Sequence, residues 1–171
     1  MNTAKPNPPI IDISLQDPEW ERIGDIEKII RQAIERTLAT AMMPKTAIGR
    51  DLEVSIVLAN DDLIQVLNRE YREKDTPTNV LTFATLDSEE ISTDGVLNLG
   101  DVILSFQTIQ REAQEQGKFI LDHVKHMTIH GVLHLLGYDH INDDEANDME
   151  TAEIGILAGL GVQNPYTDMD F

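Results

Sequence analysis

The sequence predicts one α+β domain, a mixed sheet of about four strands packed with about five helices. Three observations carry that expectation. Residues 51–59 alternate, with Leu52, Val54, Ile56 and Leu58 on one side, as a half-buried strand does. Residues 25–41 place Ile26, Ile29, Ile30, Ala33, Ile34, Leu38 and Ala41 at helical spacing. Strand-like and helix-like stretches then follow one another along all 171 residues, with no internal repeat and no domain boundary.

Ile10 to Leu15 is short and apolar and reads as a first strand, followed by a turn at Asp17-Pro18. The helix over 25–41 ends before Pro44, which cannot continue it. After the 51–59 strand, Asn60-Asp61-Asp62 caps a short helix to Arg69, with Leu63, Ile64 and Leu67 facing inward. Tyr71 to Asn79 reads as a polar, exposed loop running into a strand at Val80 to Phe83. An acidic loop, Asp87 to Asp94, precedes Val96 to Leu104, read as a strand or a pair of short strands broken near Gly100-Asp101. Gln107 to Gln116 is a polar helix closed by Gly117, and Ile120 to Leu136 a longer one. Asn142, Asp143, Asp144 and Glu145 open the last helix, where the helix dipole favours negative charge. Met149, Ala152, Ile156, Leu157 and Leu160 give it an apolar side, and Gly161 stops it. Residues 1–9 and the tail from Gln163 are expected to be loosely held, with 1–9 and 167–171 flexible.

Charge narrows the functional classes. Lys and Arg number 13 against 31 Asp and Glu, a formal charge of −18. Broad non-specific binding to nucleic acid needs a basic surface and is excluded. An RNA substrate would have to be met locally by a few placed cations. No apolar run is long enough to span a bilayer, and residues 1–9 hold no signal-peptide core, so a cytoplasmic protein with no membrane partner is expected. Cys is absent, so any metal must rest on His, Asp or Glu.

The chemistry concentrates in the run from His130 to His140. An i,i+4 spacing places His130 and His134 one turn apart on one helix face. Gly137 can take the left-handed backbone that ends a helix, and His140 can then return to the same point from outside. Three imidazoles leave one tetrahedral position open, the plan of a catalytic zinc site. One zinc ion per chain is expected, although nickel, cobalt or copper also suits imidazole. His123 and His126 extend the same stripe, and His126 is read as a substrate-facing residue or a support to the ligands, with a structural role equally open.

A metal on three neutral imidazoles keeps its charge, so hydrolysis is the default reaction class. The spacing matches the metzincin pattern, but Gly131 stands where that pattern has its general-base glutamate, which argues against a peptidase. RNA cleavage asks for something else: a cation to clamp the phosphate while the ribose 2′-hydroxyl attacks. Arg72 is the best candidate, with Arg69 and Lys74 as weaker ones on the same small positive island. Asp101 and Asp139 are candidate proton acceptors; Asp101 could also hold a metal-bound histidine from behind, or be a turn residue.

Several blocks resemble the YbeY-type endoribonucleases, metal-dependent bacterial rRNA maturation factors. They are Leu67-Asn68, Tyr71-Arg72 through Lys74-Asp75, Pro77 to Leu81 with Phe83, and Gly100 to Ser105. His123, His126-Met127 and His130 to His140, continuing into Asp143 to Ala146, complete the match. The resemblance covers about Asp51 to Tyr166; the N-terminal strand and helix fit it only loosely. It implies a zincin-like α+β fold with metal on His130, His134 and His140. It also implies single-strand-specific endoribonuclease activity in 16S rRNA 3′-end processing and 70S ribosome quality control, with Arg72 important for function. Implied partners are ribosomal RNA, a small-subunit ribosomal protein and the GTPase Era. This sequence has Glu73 where the family often has glycine. Two other readings stand beside this one: a metal-dependent hydrolase of a peptide or ester, and a non-catalytic ribosome-assembly factor with a structural metal.

Overall fold

The computed structural model describes residues 7–88, 91 and 95–167. The elements among them are β1 (Ile10–Leu15), α1 (Ile26–Thr40), β2 (Leu52–Ala59), α2 (Asp61–Arg72), β3 (Val80–Ala84), β4 (Leu97–Ser105), α3 (Phe106–Glu115), α4 (Ile120–Leu135) and α5 (Asp143–Gly159). The strands form one sheet in the order β1-β2-β4-β3. β1, β2 and β4 run parallel, and β3 pairs antiparallel with β4 at the edge. The mixed four-stranded sheet and five α-helices are those expected from sequence.

Alternation along the strands sorts side chains between two faces. Val54, Ile56 and Leu58 of β2, with Val102 and Leu104 of β4, meet Ile30 and Ile34 of α1 and Val124, Val132 and Leu135 of α4. The opposite face is smaller: Val57, Ala59, Leu81 and Ile103 meet Ile64 and Leu67 of α2. α5 packs on the far side of α4, where Ile129 and Leu133 meet Met149, Ile156 and Leu157. α4 therefore lies between sheet and α5, which explains why it is apolar over most of its circumference. Each fully buried Leu or Ile contributes roughly 1.5–3 kcal/mol, enough to hold α4 rigidly. The sector left over carries its histidines.

Three local features differ from expectation. The Asp17-Pro18 turn opens a 3-10 segment, Pro18–Ile23, that buries Trp20 completely. Its indole Nε1 donates to Ala59 O at 2.8 Å, and its ring meets Phe106 edge-on at 5.3 Å. The break near Gly100-Asp101 is a bulge within one continuous strand: Glu53 pairs with Asn98 but Ser55 with Asp101, one extra residue on β4. Gly100 has φ +131°, and a Cβ there would stand 2.0 Å from Phe83 O, so only glycine fits.

The third difference concerns α2, which runs on past Arg69 to Arg72. Tyr71 holds this extra turn by packing edge-on against Phe83 of β3, 5.1 Å between centroids. Asn68 Nδ2 donates to Thr76 O at 2.9 Å and Gln65 Nε2 to Asp75 Oδ1 at 3.1 Å, tying down what composition marks as a solvated loop. Most of the acidic 87–94 loop, and the ends expected to be flexible at 1–6 and 168–171, lie outside the described residues. The described part of the tail is anchored: Pro165 O accepts from Lys118 Nζ at 3.3 Å, and the Tyr166 hydroxyl reaches α5.

Candidate metal centre

α4 carries His123, His126, His130 and His134 along one stripe, with successive ring centroids 6.2, 6.5 and 4.6 Å apart. The helix ends in a Schellman turn. Gly137 takes φ +101°, Gly137 N–H donates to His134 O at 3.0 Å, and Tyr138 N–H to Leu133 O at 3.0 Å. The Tyr138 hydroxyl accepts from Met42 N–H at 3.2 Å, fixing this turn against the end of α1. The turn aims the chain back, and His140 arrives beside the helix pair. Its ring stacks on His130 at 5.9 Å and meets His134 at 5.1 Å. One ring nitrogen from each of the three lies within 4.8 Å of the others.

Each helical histidine is held from behind. His134 Nδ1 lies 2.9 Å from Tyr138 O, a carbonyl that can only accept, so this nitrogen carries the proton. His130 Nδ1 lies 2.5 Å from Glu153 Oε1 on α5. Glu153 is fully buried. Burial alone would raise its pKa, but hydrogen bonds from His126 and His130, with the charge of His126 and a bond from Tyr166, bring it to about 2. It is a carboxylate, and His130 Nδ1 donates to it. Burial, and then the neighbouring His130 and His140, push the pKa of His134 below its usual value and keep it neutral.

That assignment tests whether the trio suits a cation. With both Nδ1 protons committed, the lone pairs of His130 Nε2 and His134 Nε2 face one another across 3.1 Å. Nothing in the two rings themselves relieves that repulsion. Nitrogens bound to one tetrahedral zinc lie about 3.3 Å apart, given bond lengths of about 2.0–2.1 Å. The separation and donor set therefore fit a divalent ion at this point, with His140 as third ligand from the solvent side.

The other residues singled out in the sequence fall in several places. Asp139 stays beside the trio, its Oδ1 accepting from His140 N–H at 2.8 Å. His126 is buried, its Nε2 within 3.2 Å of Glu153 Oε2 and 3.3 Å of the Tyr166 hydroxyl. Arg72 lies at the outer edge of β3, donating to Thr82 O at 2.8 Å with its guanidinium over the Phe83 ring at 5.1 Å. Arg69 pairs with Asp75 at 3.8 Å, both exposed, and Lys74 sits exposed just beyond the helix end. Among the described residues, no hydrogen bond or ion pair joins these three cations to the histidines.

Asp101 requires a correction. It faces the α2 side of the sheet, beside Val57, Leu67, Tyr71, Phe83 and Ile103, where burial raises its pKa. Its neighbour Val102 points the other way, toward α4. Strand alternation thus turns Asp101 from the metal centre, and Glu153 and Tyr138 O hold the histidines instead. Glu153 and Tyr166 were not anticipated. The available signal was a carboxylate at Glu153 on the apolar stripe of Met149, Ile156 and Leu157.

Gly131 shows why the peptidase glutamate is missing. A Cβ here would meet Val102 Cγ1 at 2.7 Å and Val80 Cγ2 at 3.3 Å. This position is pressed against the sheet, so a carboxylate there would enter the core rather than approach an ion.

The model of a family described as Endoribonuclease YbeY matches residues 14–161, so the N-terminal helix belongs to the match. The chain is 45% identical over 159 residues to an endoribonuclease YbeY of Paramagnetospirillum magneticum, covering 91% of this chain and 94% of that protein. It is 44% identical over 154 residues to one from Rhodospirillum rubrum, covering 87% and 77%. Its fold is similar to a solution structure from Thermotoga maritima, with TM-score 0.55 at 22% identity over 94% of this chain and 97% of that one.

Proposed function

The chain belongs to the Endoribonuclease YbeY family, of zincin-like α+β fold, and from that membership we propose a metal-dependent, single-strand-specific endoribonuclease of 16S rRNA 3′-end maturation. The observation that supports it most is the convergence of His130, His134 and His140 on one point, with Glu153 and Tyr138 O fixing the outer nitrogens of the first two. These three histidines would hold one ion per chain, zinc by ligand type, with nickel as the nearest competitor. When bound, the ion supplies positive charge to the oxygens of the scissile phosphate.

The remaining work falls to the chain. Glu153 accepts the Nδ1 proton of His130 and Tyr138 O that of His134, which locks each ring in the tautomer that presents Nε2. Arg72, at the end of α2, would clamp a phosphate of a strand lying along β3, with Arg69 and Lys74 adding charge nearby. Asp139, next to His140, would take or return a proton at the solvent side of the trio. His126 supports Glu153 from the buried side. The whole chain, residues 1–171, acts as one domain on ribosomal RNA in the cytoplasm, in ribosome quality control with a small-subunit ribosomal protein and the GTPase Era as partners. Among the described residues no helix is long and apolar enough to cross a membrane.

The test is elemental analysis of the purified protein coupled to cleavage of a defined single-stranded RNA, with and without chelator. Wild type should cleave only when loaded. Arg72→Ala should lose at least about a hundredfold in kcat/KM while keeping its metal, the scale of removing one charge-stabilising donor. Chelator-resistant cleavage would overturn the metal-dependent reading. Metal-dependent hydrolysis of an ester or peptide without RNA cleavage would overturn the substrate.

A further inference from the structure

Beside the metal centre lies a cavity of about 400 Å³, between the end of α3, the first turns of α4 and the tail at Pro165 and Tyr166. That size falls within the roughly 300–1,000 Å³ of small-ligand sites. His130 is one of its lining residues and also presents Nε2 to His134 in the histidine cluster. We propose that this cavity takes one unpaired nucleobase, from a nucleotide flanking the scissile phosphodiester. The inference rests on the endoribonuclease reading and names the part of the strand that the site grips.

Shape and chemistry both favour a base. Met127 and Pro165 offer apolar surface, and the His126 and Tyr166 rings stand edge-to-face at 5.5 Å. Such surfaces suit a flat heterocycle, as in single-strand RNA sites where splayed bases stack on side chains. The polar lining supplies both donors and acceptors. Lys118 Nζ, half-buried, spends one proton on Pro165 O, and the exposed Gln116 amide completes the rim. His123 and His126, 3% and 7% exposed, commit Nε2 to Glu112 and Glu153, which fixes the back wall of the cavity.

Charge argues against a phosphate in the same place. Glu112 faces the cavity opposite Lys118, held by Asn79 Nδ2 at 2.9 Å and by His123 at 2.9 Å. A cation balanced by a fixed carboxylate suits a neutral, polar-edged ring better than a second anion. A base inside this cavity cannot also be paired, so the cavity would select single strands by exclusion.

The test uses metal-loaded protein and a short single-stranded RNA, its nucleotides replaced one at a time by abasic residues. One abasic position next to the cleaved bond should raise KM about tenfold, the scale of one or two lost hydrogen bonds. Gln116→Ala and Lys118→Met should raise KM similarly on intact RNA, with kcat within about twofold. The abasic substitution should add little to the loss already present in Gln116→Ala, because both remove one contact. Nucleoside 5′-monophosphates should shift the Gln116 and Asn79 side-chain amide resonances, whereas inorganic phosphate should not. Normal KM for every abasic substrate and both variants would overturn the cavity assignment and leave the ribonuclease intact. Absence of RNA cleavage by wild type would instead overturn the function, and this inference with it.

Discussion

His130 Nε2 and His134 Nε2 face one another across 3.1 Å while each ring donates its other nitrogen's proton to a fixed oxygen behind it. Two opposed lone pairs are an unfavourable arrangement that a cation converts into a binding site. Removing the ion should therefore cost stability as well as activity. At a free metal concentration a hundred times Kd, binding contributes about 2.7 kcal/mol. Chelator should lower the thermal midpoint, and zinc should restore it. His134→Ala should abolish both responses and the bound metal, read by elemental analysis and thermal unfolding. A chelator-insensitive midpoint in metal-replete protein would contradict the argument.

Glu153 supports His130 from a buried position in α5, and also accepts from His126 and Tyr166. Glu153→Gln keeps the shape but removes the charge and one of the accepting oxygens. Loss of such a supporting carboxylate typically weakens metal binding 10- to 100-fold. Competition against a chromophoric chelator should show a drop of that size, with the far-ultraviolet circular dichroism unchanged. Unaltered affinity would mean that Glu153 serves packing alone.

The histidine run and Gly137 disclose the centre because the whole ligand set lies within one helix and one turn, where spacing fixes geometry. Glu153 is 23 residues beyond His130, reached only once α5 folds back on α4. In a chain this acidic, one more glutamate gives no local signal beyond its place on an apolar stripe. Tyr166 belongs to a tail that composition marks as loose, and the bonds to buried Glu153 and from Lys118 to Pro165 O that anchor it form only in the folded chain. Asp101 went the other way: its place next to an apolar run suggested a role at the metal, but the bulge and pleat of β4 decide which face it occupies. The strands and helices were legible because each carries its own period. Trp20 was not, because a lone aromatic in a turn does not disclose the layer it will plug.

Gly131 stands where α4 presses on Val102 and Val80. In an open helix Gly→Ala would stabilise by about 1 kcal/mol. Here the added methyl meets a stiff β-branched side chain at 2.7 Å, well inside contact distance. Overpacking of this kind costs about 1–3 kcal/mol and should outweigh the helix gain. Gly131→Ala should lower the urea midpoint, and Gly131→Glu should fail to fold rather than acquire peptidase activity. A stabilised Gly131→Ala would show that the sheet yields easily at Val102.

Glu73 is the only non-glycine residue with positive φ among those described, at φ +59° and ψ +29°. It ends α2 in the left-handed region, where a glycine would carry no Cβ penalty. An ordinary residue there pays about 1–2 kcal/mol in backbone strain. Glycine removes that strain but costs about 0.5–1 kcal/mol in chain entropy. Glu73→Gly should therefore stabilise the protein by up to about 1.5 kcal/mol, measured by urea unfolding. The kcat/KM on RNA should stay within twofold, because the Arg72 bond to Thr82 O does not depend on the Glu73 side chain.

His123 gives the pH dependence a definite sign. It is 3% exposed, and the charged groups facing it are Glu112, His126 and Lys118. Burial pushes its pKa below the usual 6.5, and the Glu112 hydrogen bond and charge pull it back only in part. The unfolded chain then binds more protons than the folded one as pH falls below 6.5. Stability contributed by the neutral ring is present above that pH and is lost toward the lower folded-state value. The slope can reach about 1.4 kcal/mol per pH unit for one proton. Urea unfolding between pH 8 and 5 should show wild type losing stability faster than His123→Gln, since acid loss of metal is common to both. A wild type that gains on the variant in acid would mean that the Glu112 carboxylate prevails over burial and the native ring is charged.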